Sequence, residues 1–376
     1  NWFTISLQGR GRRKLIMTRS KVAVIKTSPA TVLEDYARLM HLADYQSYIP
    51  KDTQIGLKIN ISWHFYYPAC STPPWQLEGV IKTFLDDGYS RENLYACHNR
   101  TVVVSAKRGE RNNKQLPVVQ KYGLRNIHLY ENEEWVPYEP KGKIRVLYDI
   151  FPEGIKIPKR FLGSSIIHLP TMKTHVFTTM TGAMKNAFGG LLNEKRHYTH
   201  SVINETLVDL LTIQKEIHPG LFAVTDGTIA GDGPGPRCMV PHITNYILAS
   251  ADQVAIDAIA AKMMGFEPLD LKFIRLAHES GLGCGDPKEI DIVGEDISEV
   301  NFHFQKDKNT LASKGQKLIY WGPLKPLEKA LLRSFITPWS YVASVIFHDY
   351  LWHPFIGRRR TRKILKTDWG QLFRQY

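Results

Sequence analysis

The sequence predicts an α/β fold with a largely parallel sheet, arranged as one large unit or two lobes and followed by a helical, aromatic and basic C-terminal extension. Two observations predict it: short apolar segments of strand length recur along the chain, and amphipathic helical segments lie between them. This alternation is typical of β-α-β units, in which consecutive strands run parallel. The predicted strands cover residues 22–25, 56–61, 93–96, 127–130, 144–148, 166–169, 221–224 and 290–293.

The predicted helices follow from apolar residues at helical spacing. From Pro74 to Gly88, apolar residues recur every three or four positions, which indicates an amphipathic helix. Residues 202–217 and 254–264 show the same pattern, and Asp252 is the predicted N-cap of the second of these helices. A further helix is predicted over residues 269–278, so helices separate most of the strands.

Composition divides the chain into three parts. Residues 1–20 form a basic N-terminal extension, residues 21–304 the α/β core, and residues 305–376 the C-terminal extension. The basic residues of the first part are Arg10, Arg12, Arg13 and Lys14. Pro and Gly punctuate residues 136–158, which indicates either a lobe border or a long excursion from the core.

The cysteines bear on compartment and on metal chemistry. Cys70, Cys97, Cys238 and Cys284 are widely separated and form no C-x-x-C pair, so an iron–sulfur cluster or structural zinc bound by locally spaced cysteines is not predicted. Dispersed thiols fit a reducing compartment, and we expect a cytoplasmic protein. No apolar run reaches the roughly 18–20 residues that a transmembrane helix needs.

The segment of residues 173–190, KTHVFTTMTGAMKNAFGG, carries the strongest functional signal. It follows a predicted buried strand and combines basic, imidazole and amide side chains with three glycines. We predict a loop in which the backbone approaches a ligand closely, because small residues leave room for that approach.

Three lysines lie near predicted strand ends or in this segment: Lys58, Lys173 and Lys185. Ligands of open parallel sheets bind beyond the carboxyl ends of the strands, so we predict a pocket there for a carboxylate or a phosphate. The alternative is that each lysine is an exposed solubilising group. The predicted ligand-binding or cofactor-binding residues are Lys58, Asn60, Thr72, Lys173, Thr181, Gly182, Asn186, Gly189, Gly190, Asp226 and Gly227.

Histidines and an aspartate form a second predicted group. His197 and His200 are three residues apart and would share one face of a helix, while His175 lies in the glycine-containing segment. Imidazoles bind transition metals or move protons, although each histidine could instead make a local hydrogen bond. Asp226 follows a predicted buried strand and would bind a divalent ion, orient a histidine or serve as a base. The alternative is that it forms a turn, since Asp-Gly is a common turn dipeptide. The predicted catalytic residues are His175, Lys185 and His200, and the predicted metal ligands are His175, His200 and Asp226.

Two further side chains are linked to this site. Cys70 precedes the predicted helix that begins near Pro74, where the helix dipole would lower a thiol pKa and attract anions. We expect it to neighbour the anion rather than to act as a nucleophile. Asp257 lies a little over one helical turn after Asp252, and it either faces the pocket or occupies an exposed helix position.

The order of these motifs resembles the family called domain of unknown function 362. The resemblance runs from about residue 21 to residue 294 and rests on the following segments: His175, TGAMKNAFGG, His200, TDGT at 225–228, GDGPGP at 231–236 and ADQVAID at 251–257. It implies a fold and the location of a site, but that family has no established reaction.

The order His175, Lys185, His200 is also similar to that of the nickel-pincer lactate racemases, in which histidines and a lysine contact a nickel-bearing, nicotinate-derived cofactor. This chain has no adjacent Asp-His-His, and His98 with Arg100 is only a loose counterpart. The resemblance implies a shared fold and leaves the cofactor open: either a metal ion or a metal-bearing organic cofactor.

The C-terminal extension interleaves aromatic residues with Arg and Lys from Lys314 onward, in a chain whose net charge is +13. Aromatic and basic side chains together are typical of attachment at the periphery of an anionic membrane. Nucleic acid is a less favoured partner, because no RNA-binding motif is present. The alternative is that the aromatic residues pack against the core and the basic tail is solvated.

Together these patterns predict an enzyme that binds an anionic small molecule or cofactor and catalyses a redox or isomerase reaction, with or without a metal. No activated nucleophile is recognisable, which disfavours acyl transfer. The alternative is a non-catalytic accessory protein that binds a ligand in the same pocket and docks on an anionic membrane surface or a larger assembly through its basic aromatic tail.

Overall fold

Alternating strands and helices form the predicted α/β core, which the computed structural model shows as a ten-stranded, mostly parallel sheet. The structure describes residues 19–99, 103–306, 308–332 and 337–376. The basic cluster of residues 10–14 and Arg100 lie outside the described residues. The strands are β1 (Lys21–Lys26), β2 (Ile55–Ile59), β3 (Leu94–His98), β4 (Arg125–His128), β5 (Trp135–Tyr138), β6 (Ile155–Pro158), β7 (Ser165–Leu169), β8 (Thr171–His175), β9 (Thr179–Thr181), β10 (Leu221–Asp232), β11 (Val240–Ser250) and β12 (Asp291–Gly294).

Helices occupy the four segments of the core that the sequence predicts as helical, and further helices lie between and after them. They are α1 (Val32–Leu42), α2 (Pro74–Asp86), α3 (Ala106–Asn112), α4 (Gln115–Lys121), α5 (Leu147–Ile150), α6 (Ala183–Asn186), α7 (Phe188–Leu191), α8 (Ile203–Ile217), α9 (Gln253–Met264), α10 (Lys272–Glu279), α11 (Leu311–Tyr320), α12 (Glu328–Leu332), α13 (Pro338–Val345), α14 (Arg358–Ile364) and α15 (Asp368–Gln375). A 3₁₀ segment, Glu194–Val202, precedes α8, and a π-helix, Ile346–Gly357, follows α13.

The strand order is β12-β1-β11-β10-β7-β2-β3-β4, with β8 beside β10 and β9 beside β8. Strands β10, β7, β2, β3 and β4 run parallel, whereas β11 is antiparallel to both of its neighbours. The central register places Leu57 of β2 opposite Ile167 and Ala96. Because these strands are parallel, their carboxyl ends meet along one edge of the sheet, where the candidate site lies.

Apolar cores cover both faces of the sheet, so the central strands are buried on both sides. Tyr36 and Trp75 from α1 and α2 pack on one face. Leu207 and Ile259 from α8 and α9 pack on the other. The Asp252 carboxylate accepts hydrogen bonds from the backbone N–H groups at the start of α9, which confirms it as the N-cap.

Two local predictions are wrong for identifiable reasons. Residues 144–148 form no strand, because the buried carboxylate of Asp209 accepts hydrogen bonds from three successive backbone N–H groups, those of Arg145, Val146 and Leu147. These bonds begin the short helix α5 in place of a strand ladder. The strand predicted over residues 221–224 continues to Asp232, because pairing with β11 extends along the whole of β10.

Part of the C-terminal extension belongs to the folded core. The Trp369 ring lies 5.1 Å from that of Trp75, and the Phe373 ring stacks on Tyr66 at 3.7 Å between centroids. The Trp63 indole N–H donates to Asp349 at 2.7 Å. No helix among the described residues is long and apolar enough to cross a membrane.

Candidate anion-binding site

A cavity of about 690 Å³ opens beyond the carboxyl ends of the parallel strands, within the size range of small-molecule sites. Its inner wall comes from the ends of β2 and β3, the β8–β9 hairpin and helix α6. Its outer wall comes from α11, α13 and the π-helix of the C-terminal extension. Of the predicted site residues, the structure brings together in this lining Lys58, Asn60, Lys173, His175, Thr181, Gly182, Lys185, Asn186, Gly189 and His200.

The segment of residues 173–190 is folded into regular structure, which corrects the prediction of a loop. Its first part is the β8–β9 hairpin and its second part is the pair of short helices α6 and α7. The start of α6 is held by Asp257, whose carboxylate accepts hydrogen bonds from the N–H groups of Ala183 at 2.6 Å and Met184 at 3.1 Å. Gly182 allows this approach, because a Cβ there would lie 2.0 Å from Asp257 Oδ1. Asp257 therefore holds the start of α6 in place but does not itself line the cavity.

Lys58 reaches the cavity across a surface of glycines. A Cβ at Gly190 would lie 3.2 Å from Lys58 Cε, and one at Gly189 would lie 3.4 Å from Lys58 Nζ. The Lys58 ammonium donates to the carbonyl of Ile59 at 2.7 Å, and the Asn186 side-chain amide donates to the Lys58 carbonyl at 2.8 Å. The two glycines thus accommodate the lysine side chain, and Gly190 lies behind it, outside the cavity lining.

The other two lysines differ in their surroundings. Lys173 is buried, and its ammonium donates to the Cys70 carbonyl at 2.6 Å and to Thr171 Oγ1 at 2.7 Å. Lys185 is half-buried and lies 5.4 Å from the centre of the Phe188 ring. Within the described part of the chain, no group accepts a hydrogen bond from Lys185 Nζ. It is the lysine best placed to bind a ligand.

Basic side chains line the cavity, whereas no carboxylate does among the described lining residues. The lining contains Lys58, Lys173 and Lys185, hereafter the cavity lysines, together with Arg196 and Arg237. Burial lowers the pKa of Lys58 and Lys173 to about 8, and burial together with the positive charge of Lys173 lowers the pKa of Lys185 to about 7. An anion would offset both the desolvation and the mutual repulsion of these groups.

The two predicted catalytic histidines are held in different tautomers. His175 Nδ1 accepts a hydrogen bond from the Phe177 backbone N–H at 3.2 Å, so neutral His175 carries its proton on Nε2. His200 Nδ1 lies 2.9 Å from the carbonyl of His197 and must donate to it, so Nε2 keeps its lone pair. Burial, with the charge of Lys185, lowers the pKa of both, and that of His200 falls to about 3. One ring thus offers a donor and the other an acceptor.

His197 has a different role from the one its spacing predicts. The segment from Glu194 to Val202 is a 3₁₀ helix rather than an α-helix. Within it, the His197 carbonyl accepts from His200, and His197 Nε2 lies 2.9 Å from the hydroxyl oxygen of Tyr341 in the C-terminal extension. This histidine links the extension to the wall of the cavity.

Two predicted residues of β10, Asp226 and Gly227, lie outside the cavity lining. The buried Asp226 carboxylate accepts hydrogen bonds from the Tyr36 hydroxyl at 2.7 Å and the Trp75 indole at 3.0 Å, on the far side of the sheet edge. It does not join His175 and His200 in the cavity, because β10 continues past it and pairs it with Thr171 of β8. Gly227, its neighbour, packs against β11, where a Cβ would lie 3.0 Å from the Tyr246 carbonyl oxygen.

Thr72 and Cys70 are structural. The Thr72 hydroxyl donates to the Leu169 carbonyl at 2.6 Å and accepts from the Asn60 N–H at 2.8 Å, so it joins strand ends rather than a ligand. The expectation of a lowered thiol pKa is wrong, because burial raises the pKa of Cys70 to about 11. Its thiol donates to the Pro236 carbonyl at 3.1 Å.

A cluster that sequence spacing does not reveal is formed by His98, Glu110 and His128, hereafter the His–Glu cluster. Their potential metal-ligating atoms all lie within 4.8 Å of one another, and among the described residues no other three His, Cys, Asp or Glu side chains come together in this way. Glu110 Oε2 lies 2.9 Å from His98 Nε2 and 3.1 Å from His128 Nε2. Burial alone would raise the pKa of Glu110, but hydrogen bonds from His128, His98 and Asn126 lower it.

The donor set of this cluster suits a transition metal. It contains two imidazoles and one ionised carboxylate, and His98 also lines the cavity, where its Nδ1 atom has no hydrogen-bond partner among the described residues. The three residues come from β3, α3 and β4, and only the pairing of β3 with β4 brings the histidines together, as the opposed pair His98 and His128.

Two arginines of the cavity were also missed by sequence reasoning. Arg196 lies between Gly190 and His200, and Arg237 directly follows the GPGP turn. Both positions adjoin the predicted motifs, so the signal was a basic residue beside a glycine-rich or histidine-containing segment. Burial lowers the pKa of Arg196 to about 10 and also lowers that of Arg237.

The fold and site define an α/β protein with a cation-lined cavity at the carboxyl edge of a parallel sheet. Residues 55–262, more than half of the chain, match the family described as Domain of unknown function (DUF362), and the chain belongs to that family. It is also 28% identical over 124 residues to the Thylakoid-associated protein sll1697 of Synechocystis sp. (strain ATCC 27184 / PCC 6803 / Kazusa). That alignment covers 31% of this chain and 37% of the relative, so the chain spans little more than a third of that protein.

Proposed function

We propose that this protein is an enzyme that binds an anionic small molecule or cofactor in the cavity and acts on it by proton transfer. The observation that carries the proposal is the concentration of three lysines and two arginines around a cavity whose described lining contains no carboxylate. Buried cations are costly unless a negative charge offsets them, and a phosphate or carboxylate group of a ligand would offset the charge of Lys58, Lys173 and Lys185.

The histidines supply the chemistry. The Nδ1 atom of each ring is already engaged by backbone, so His175 can donate a proton from Nε2 and His200 can accept one at Nε2. A bound anion would offset the positive charge that lowers the pKa of His200 and so make it a stronger base. Lys185, with a pKa of about 7, changes its protonation state near neutrality. An acid and a base in one cavity favour isomerisation, and a redox reaction would require that the anionic occupant be a cofactor. Acyl transfer is disfavoured, because the Cys70 thiol is buried with a raised pKa.

Binding of simple anions tests the first part of the proposal. Isothermal titration calorimetry should show that inorganic phosphate and citrate bind. Lys185→Gln should weaken the binding of both anions at least about tenfold, because the variant removes a positive charge from the cavity wall. Lys288→Gln removes the same charge from an exposed position outside the lining and should leave affinity unchanged. The proposal fails if neither anion binds, or if Lys185→Gln binds as tightly as the parent.

Native mass spectrometry of the purified protein addresses the natural occupant. A bound mass present in the parent and in Lys288→Gln, but absent from Lys185→Gln, would identify the ligand or cofactor. His200→Gln should retain the bound mass and lose turnover of the ligand so identified, because the amide keeps a similar size but cannot accept the proton. Retained turnover would remove His200 from the catalytic set.

A metal, if it takes part, would be bound by the His–Glu cluster rather than by the predicted set that includes Asp226. Two imidazoles and a carboxylate would hold a divalent ion beside the cavity, where it could polarise an oxygen of the ligand. Elemental analysis and Zn²⁺ titration should show one ion per chain, lost in Glu110→Gln and retained in Glu92→Gln, whose exposed carboxylate pairs with Arg91 outside the cluster. Equal metal content in both variants would contradict this assignment.

Attachment to an anionic membrane is a second candidate function, favoured by the surface of the C-terminal extension. Of the seventeen exposed large hydrophobic residues in the described part of the chain, eleven fall within residues 318–356. Trp339, Val342, Ile346 and Tyr350 recur at spacings of three and four, so they share one helical face.

Basic residues accompany this apolar surface. Residues 308–367 contain twelve Lys or Arg and two acidic residues, and both carboxylates are engaged, Glu328 with Ser201 and Asp349 with Trp63. Apolar side chains flanked by cations match an anionic bilayer. The relative's name, thylakoid-associated, is in keeping with this candidate.

Flotation with liposomes tests the candidate. Vesicles of phosphatidylcholine with phosphatidylglycerol should carry the protein upward at low salt, and Tyr350→Ser with Phe355→Ser should reduce that fraction severalfold. Tyr148→Ser with Leu162→Ser alters exposed apolar residues elsewhere and should have no effect. Equal flotation of the two double variants would rule out this surface. Flotation together with a lack of any bound small molecule would favour the non-catalytic accessory protein over the enzyme.

A further inference from the structure

The cavity has two chemically different halves. The half built by the α/β core carries all five cations of the described lining. The half built by the C-terminal extension is lined by Leu318, Ile319, Tyr320, Leu324, Leu332 and Trp339 together with uncharged polar residues such as Ser313, Gln316 and Ser344. None of its described lining residues is Lys, Arg, Asp or Glu. A ligand that was ionic throughout would leave this second half without a partner.

The apolar half is also the mouth of the cavity. Leu318, Leu324 and Trp339 line the cavity and are nevertheless 48%, 40% and 47% exposed, so they stand where the cavity meets solvent. The exposed face that begins at Trp339 continues outward through Val342 and Ile346. An apolar path therefore runs from the protein surface to the buried cations.

The dimensions fit a ligand that uses both halves. A volume of about 690 Å³ exceeds what a single phosphate or small carboxylate would fill. A hydrocarbon chain extending from the anion would occupy the remaining space and displace water from apolar walls, which is favourable for each methylene buried.

We propose that the ligand of this cavity is an amphiphile, with an anionic head group held by the core cations and a hydrocarbon chain held by the C-terminal extension. This inference rests on the proposed function, because it assumes that the cations bind the head group. The phosphate or carboxylate nature of the head group is left to the experiment, since both meet the same lysines and arginines.

Chain length provides the test. Affinities are measured by isothermal titration for n-alkyl phosphates and n-alkyl carboxylates of increasing length, below their micelle concentrations. Affinity should rise about fourfold per added methylene until the apolar half is filled. Matched n-alkyl alcohols and n-alkyl trimethylammonium ions, which lack the anion, should bind at least about tenfold more weakly at every length.

Variants separate the two halves. Leu318→Gln with Leu324→Gln changes exposed residues, so folding should be retained, and it should flatten the dependence on chain length. Leu327→Gln is a matched control, because Leu327 is 50% exposed but lies outside the lining. Lys185→Gln should lower affinity by a similar factor at every chain length.

The outcomes distinguish this inference from the proposed function. If anions bind with the same affinity at every chain length, the amphiphile is wrong and the anion site stands. If no anion of any length binds, the proposed function itself is wrong. If alcohols and trimethylammonium ions bind as well as phosphates and carboxylates, the chain is held without the cations and the amphiphile as stated is overturned.

Discussion

Substitution of Gly182 by alanine examines how the site is supported. A Cβ at this position would lie 2.0 Å from Asp257 Oδ1, 2.4 Å from Cγ and 2.7 Å from Oδ2. All three distances are shorter than any normal contact, so the carboxylate must move. Asp257 is 1% exposed and is fixed by its two hydrogen bonds to the start of α6, so the movement breaks both bonds.

The cost follows from those bonds. Hydrogen bonds to charged groups contribute roughly 1.5–3 kcal/mol each, so losing two of them should lower the free energy of unfolding by about 3–6 kcal/mol. Because α6 carries Lys185 and Asn186, the same change should also weaken phosphate binding. Burial raises the pKa of Asp257 to about 7. Above that pH the carboxylate is ionised and accepts hydrogen bonds more strongly than the protonated carboxyl does, so the cost of Gly182→Ala should lie at the upper end of this range.

Urea unfolding followed by circular dichroism measures the effect. Gly315→Ala is the matched control: it lies within α11, nothing approaches its Cβ position within 4 Å, and it should stabilise the protein by about 0.5–1 kcal/mol. In an Asp257→Ala background, Gly182→Ala should cost far less, since the clashing carboxylate is gone. A loss below about 1 kcal/mol in the parent background, or an equal loss in both backgrounds, would refute the reasoning.

Three other predictions concern the cavity lysines, the Asp209 carboxylate and the cysteine thiols. The cavity lysines have pKa values of about 7–8 in the folded protein, whereas the usual lysine pKa is 10.5. Between these values the unfolded chain binds protons that the folded chain has released. The free energy of unfolding should therefore rise between about pH 8 and about pH 9.5, by up to about 1.4 kcal/mol per pH unit for each lysine. The rise should be smaller in Lys185→Gln, which has one such lysine fewer. A free energy of unfolding that does not change over this pH range would contradict the lowered pKa values. Asp209→Ala should lower the free energy of unfolding by about 2–4 kcal/mol in urea, because three backbone N–H groups lose their acceptor. It should also speed trypsin cleavage after the exposed Arg145, since the backbone there is no longer held, and an unchanged cleavage rate would show that these hydrogen bonds are not needed. Cys284 is half-buried and the other three thiols are buried, so a thiol reagent should label Cys284 before the others in the folded protein. This first phase of labelling should be lost in Cys284→Ser, and its persistence there would contradict the burial of the other three.

Local sequence was sufficient for much of the fold. Apolar runs predicted the central strands β1, β2, β3 and β7, because strands covered on both faces must be apolar throughout. Helices α2, α8 and α9 followed from helical spacing, and the Asp252 cap followed from its position before α9. The prediction failed at residues 144–148, where a distant carboxylate, that of Asp209, decides the backbone conformation.

The candidate site was predicted in part. Lys58, Lys173, His175, Lys185 and His200 were named from strand ends and from the glycine-containing segment, and they line one cavity. Asp226 was assigned there because its strand was expected to end before it. Strand pairing carries β10 six residues further, so that its carboxylate meets Tyr36 and Trp75 instead.

By itself, the sequence determined the alternation of strands and helices, the family, and the placement of Lys58, Lys173, Lys185, His175 and His200 at the carboxyl edge of the sheet. These depend on periodicity and on neighbours along the chain. Only the tertiary structure decided that Gly182 adjoins Asp257, that His98, Glu110 and His128 form one cluster, and that the C-terminal extension supplies the apolar half of the cavity. Each of those contacts joins residues far apart in the chain, and their meeting depends on strand order and helix packing that no local pattern encodes.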